Sequence, residues 1–158
     1  MLLSSCEKDD PIIPNEEELI TTLNYTLISQ DLADTVVFSF IDLDGPGGND
    51  PVISNGILKA NTTYTGVVEL LNEQSLPPED ITEEVKDEAE EHQFFFLAYD
   101  LLGVVSSDIN IKYSDQDANS NPIGITTNFE TLDTSVNALT VILRHEPDKF
   151  ASGVAQGD

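Results

Sequence analysis

The 158-residue chain has one cysteine, no tryptophan, and only six lysines and arginines against thirty acidic residues. Each shortage removes a class of reading. A single thiol, Cys6, cannot close an intrachain disulfide. Six basic residues cannot build the clusters that release counterions from nucleic-acid phosphates, and a net charge of −24 repels phosphates and anionic lipid head groups alike. No nucleic-acid partner is therefore expected. No window holds the roughly 18 consecutive apolar residues of a spanning helix. Without tryptophan the usual sugar-stacking platform is weakened, though four tyrosines remain. There is no G-x-S-x-G elbow and no glycine-rich phosphate loop, and carboxylates are too common for any pair to mark a glycosidase. These absences together argue against an enzyme.

What is present is a period-two pattern on a chain long enough for one domain with its own core. Leu19, Leu23, Tyr25 and Leu27 fall on one face of a strand, with Thr22, Asn24 and Thr26 opposite. A second strand over 35–41 turns Val36, Phe38 and Phe40 inward. The β-branched run 65–71 is a third, stopped by Pro77-Pro78. Asp80-Ile81-Thr82-Glu83 then has capping-box spacing and predicts one short acidic helix over 82–91. Residues 93–99 (QFFFLAY) are apolar on both faces, as in a central strand, and shorter strands follow near 109–113, 124–130 and 138–144. The expected fold is all-β: an antiparallel two-sheet β-sandwich, Ig-like or transthyretin-like, over 19–150.

The ends read differently. Leu3-Ser4-Ser5-Cys6 resembles a bacterial lipobox, in which the cysteine is acylated and becomes the mature N-terminus. Glu7-Lys8-Asp9-Asp10 resembles the acidic export tag of Bacteroidetes-type surface lipoproteins. Residues 1–6 are then the remnant of a signal peptide, and with so short an apolar lead Met1 is expected to be an internal methionine of a longer precursor. Residues 7–18, with Pro11 and Pro14 among acids, read as an extended linker. Residues 151–158 read as a loop-like tail short of a final strand.

Two sets of residues carry candidate chemistry. Asp42, Asp44 and Asp50 in one loop, and Asp115, Asp117 and Asn119 in another, alternate as in calcium loops. Such sequences also make plain turns, and neither completes the twelve-residue pattern. The two histidines sit within acids, one at the start of a strand and one at the end of another. If those strands are antiparallel neighbours, His92 and His145 reach one sheet edge. Glu91, Glu146 and Asp148 would then complete a site for zinc or another divalent ion. The alternative is two solvated histidines, and acidity that serves only solubility.

The lipobox, the acidic tag and the blocks Leu58-Lys59-Ala60-Asn61-Thr62-Thr63-Tyr64, Glu91-His92-Gln93-Phe94-Phe95-Phe96 and Leu143-Arg144-His145-Glu146-Pro147-Asp148-Lys149 together resemble small surface lipoproteins of Bacteroidetes-type bacteria. The resemblance implies an outer-membrane, surface lipoprotein held through a lipid on Cys6 and carrying a β-rich domain; separately, an outer-membrane transporter or surface complex is the expected partner. It brings no activity with it. The functional expectation is a non-catalytic module binding a ligand or a divalent metal (zinc or calcium), or else a structural, adhesive domain.

Overall fold

Alternation in the first two strands sets one wall of the molecule. A computed structural model of the chain describes residues 18–151. Cys6, the lipobox, the acidic tag and the tail beyond 151 lie outside the described residues. β1 (Thr22–Ser29) and β2 (Thr35–Ile41) pair antiparallel, with Leu23 opposite Phe40, Tyr25 opposite Phe38 and Leu27 opposite Val36. These pairs share one face because side chains alternate along a strand. β3 (Val52–Ile53), β4 (Thr62–Asn72) and β5 (Glu79–Asp80) come next, then α1 (Ile81–Asp87) and β6 (His92–Tyr99). β7 (Ile109–Tyr113), β8 (Thr126–Thr131) and β9 (Ala138–His145) finish the order.

The strands form two antiparallel sheets, and the fold is an all-β sandwich. The larger sheet runs β3-β2-β1-β4-β8-β7, with β5 paired to the end of β4; the smaller is β6-β9. β4 is the longest strand and alternates strictly, with Tyr64, Gly66, Val68 and Leu70 buried between exposed neighbours. Tyr25, Leu27, Tyr64, Val68, Leu70 and Phe129 of the large sheet bury against Phe94 of β6. Phe96 stacks obliquely on Tyr25 at 5.2 Å between centroids, which closes the core.

Two expectations change. The helix ends at Asp87, not at 91, because a run of Asp87, Glu88, Glu90 and Glu91 puts negative charge where the helix dipole is already negative. Glu88 leaves the helical region, and Glu91 N–H donates to the Glu88 carbonyl in a turn. That turn aims the chain into β6. β6 itself is not paired on both sides. Only β9 pairs with it as a strand, while Ile123 and the Tyr113 hydroxyl reach its other edge at Phe94.

A candidate metal site at the head of β6

His92 opens β6 immediately after the acidic turn, and the turn fixes its ring. The imidazole is fully buried. Its Nδ1 lies 3.2 Å from the Glu88 carbonyl, which can only accept, so Nδ1 carries the hydrogen. That tautomer leaves Nε2 with its lone pair. Glu18 Oε1 stands 2.8 Å from Nε2, on a side chain only 7% exposed. The contact lacks hydrogen-bond alignment, and both His92 Nε2 and Glu88 Oε2 are buried without a hydrogen-bond partner. Two lone-pair atoms this close require a cation between them, either a proton or a metal ion. One ligand atom each from Glu18, Glu88 and His92 lies within 4.8 Å of the others, although Glu88 Oε2 stands 4.0 Å from Nδ1, so Glu88 must swing toward the Nε2 side to share an ion with Glu18.

The surroundings add negative charge. Partial desolvation raises the Glu84 carboxyl above its ordinary range, and Glu18, Glu88 and Glu79 push it the same way, while His92 works against them. A bound cation would relieve this repulsion.

His145 is the register partner of His92 across β6 and β9. The strand ends therefore do bring the two histidines together. Their rings stack, with centroids 4.8 Å apart and planes 14° from parallel. Imidazole lone pairs lie in the ring plane, so stacked rings do not converge on one ion. Each histidine faces its own carboxylates instead. His145 Nε2 is 3.7 Å from Glu91 Oε2, and Glu146 completes this second, more open group. Asp148 joins neither group; its carboxylate accepts from the Phe150 N–H and closes a turn.

Sequence reasoning does not single out Glu18 and Glu88 as candidate ligands. Glu88 has a signal, since it precedes His92 by four residues on the same turn. Glu18 has none: among the prolines and acids of 7–18 it reads as linker, yet its side chain packs inside the domain.

The two aspartate loops hold themselves closed. Asp42 accepts from Gly45 N–H, and Asp44 accepts from the backbone and side chain of Asn49, which hold its carboxyl below the usual range. Asp115 spends one oxygen on Gly124 N–H and the other on Thr126 N–H. Asp117 accepts from the backbone N–H groups of Asn119 and Asn121 and pairs with Lys149 at 3.1 Å. Among the described residues, neither group of candidate ligands includes Asp42, Asp44, Asp50, Asp115 or Asp117. No protein-family model, curated protein or solved structure matches the chain.

Proposed function

We propose that the protein is a non-catalytic, lipid-anchored lipoprotein at the surface of the outer membrane, whose domain binds a divalent transition-metal ion through Glu18, Glu88 and His92. The observation that carries the metal reading is the buried His92 Nε2, 2.8 Å from Glu18 Oε1 without hydrogen-bond alignment. One imidazole and two carboxylates suit zinc better than calcium, which takes oxygen alone. With metal–ligand bonds of roughly 2.0–2.2 Å, a tetrahedral ion separates its ligands by about 3.3 Å, so a small rotamer change opens the contact enough. The Nδ1–H bond to a backbone carbonyl is the outer-shell arrangement that orients a ligating histidine. The anchor rests on the lipobox at Cys6, and the alternative is a structural or adhesive domain in which a proton, not a metal, holds His92 to Glu18.

Isothermal titration with zinc chloride separates these readings. One ion should bind the full chain, His92→Ala should weaken it at least tenfold, and His145→Ala should leave it nearly unchanged. Equal affinity in all three proteins would assign any binding to the diffuse acidic surface. For the anchor, Cys6→Ala should move the protein from the membrane fraction to the soluble one; an unchanged membrane pool would place the anchor elsewhere.

A further inference from the structure

The three candidate ligands are held to different degrees. Glu88 and His92 stand on fixed backbone. Glu88 N–H donates to the Glu84 carbonyl, Glu91 N–H donates to the Glu88 carbonyl, and His92 is paired with His145 in the β6–β9 ladder. Glu18 has no such support. Among the described residues, the first backbone hydrogen bond of its stretch is Thr21 N–H to the Leu71 carbonyl. The Thr21 carbonyl and hydroxyl then accept from the Asp42 and Glu73 N–H groups, so Thr21 is firmly part of the large sheet. Between Thr21 and Glu18, Leu19 is 52% exposed and Ile20 packs against the core. The Glu18 side chain is nonetheless buried, against a His92 nitrogen that offers a lone pair. Without a cation that contact is repulsive, and the nearby Glu88 carboxylate adds like charge. A buried carboxylate with no partner is better placed in water. With an ion, Glu18 becomes a ligand and ties the entry of β1 in the large sheet to the head of β6 in the small one.

We propose that the ion is a clasp on the entering chain: bound by Glu18, Glu88 and His92, it holds residues 18–20 against the head of β6, and its loss frees them as far as Thr21. The inference rests on the metal reading above and adds what the ion does. Glu18 is the ligand whose backbone leaves, because moving the backbone of Glu88 or His92 breaks the turn and the ladder that hold them. Opening of this kind is local, since the strands of the large sheet begin at Thr22 and keep their pairing. Three residues released in extended form, at roughly 3.3–3.6 Å each, add about 10 Å to the reach of the chain that enters the domain. Metal supply thus sets how far the domain can stand from the residues before 18.

The test is NMR relaxation of backbone amides on the full chain, with saturating zinc chloride or with a chelator in its place. It is run at about pH 8, since a ligating histidine must be neutral. Order parameters of Glu18, Leu19 and Ile20 should stand near about 0.85 with zinc and fall below about 0.6 with the chelator. Those of Thr21, Tyr25 and Phe94 should be the same in both. Glu18→Ala leaves Glu88 and His92 to bind zinc more weakly, and it should show the low values at residues 18–20 in both conditions. Shifts of the His92 ring signals on adding zinc report metal binding separately. If those signals move while residues 18–20 are equally ordered with and without zinc, the clasp is overturned and the metal site stands. If zinc orders residues 18–20 in Glu18→Ala as well, a contact other than Glu18 carries the order, and the clasp is again overturned. Absence of any zinc-dependent shift at His92 overturns the metal reading and the clasp with it.

Discussion

Lys149 carries a charge into the interior, and its three acceptors explain why it can. Nζ pairs with Asp117 at 3.1 Å and donates to the Ala89 and Pro122 carbonyls, tying the chain after β9 to the turn before β6. Removing one member of a buried pair strands the other, so Lys149→Met should cost about 3 kcal/mol in urea unfolding. Burial alone would raise the Asp117 carboxyl, but the Asn121 N–H, the Lys149 ammonium and the Asn119 N–H together hold it below the usual range. A depressed folded-state value stabilises the fold fully above the ordinary aspartate range, about 3.9, and the gain is lost as pH falls through the lower folded value. Unfolding followed through acid pH should show this limb in the parent chain and a smaller one in Lys149→Met. Gly66 is a second fixed point. A Cβ there would collide with the Tyr25 and Thr127 hydroxyls, and those two groups share a buried hydrogen bond. Gly66→Ala should therefore destabilise by about 1–3 kcal/mol. Neither Lys149 with Asp117 nor Glu18 with His92 was legible in the sequence. Each pair joins residues far apart in the chain, and pairing of that kind depends on tertiary approach, not on spacing.

At the scale of elements, the legible parts were those with a long enough period. β1, β2 and β4 alternate, and β7 and β9 fell close to their expected ranges. β3 and β5 have two residues each, too few to show any period. The start of α1 was legible from its cap, and Asp80 does accept from the Thr82 N–H. Its end was not, because the acids beyond Asp87 have good intrinsic helix propensity while the dipole opposes them. The adjacency of His92 and His145 was legible only on the condition that their strands pair antiparallel, a pairing that β6 and β9 do make, whereas the stacking of the rings depends on rotamers that no pattern encodes. The cap also bears on the proposed metal site, because α1 and its exit turn position Glu88. Asp80→Ala should lower stability by about 1 kcal/mol, read from chemical unfolding. On the metal account it should also weaken zinc binding by less than His92→Ala does, since it loosens a ligand without removing it.

Across the whole molecule, thirty acids against six bases make self-repulsion a standing cost of the folded state. Raising ionic strength from about 0.01 M to about 0.15 M shortens the screening length from about 30 Å to about 8 Å. The melting temperature should rise over that range without any specific ion. A metal bound only by the folded state adds to this, by about 2.7 kcal/mol at a hundredfold excess over Kd. At constant ionic strength, zinc should therefore stabilise the parent chain and leave Glu18→Gln with His92→Ala at its salt-only value. The most direct measurement is anomalous diffraction at the zinc edge from a crystal of the full chain grown with zinc. The account predicts one strong peak bounded by Glu18, Glu88 and His92 Nε2, at about 2.0–2.2 Å from its ligand atoms. A peak only among Glu91, His145 and Glu146, or no peak with Glu18 and His92 still in direct contact, would contradict it.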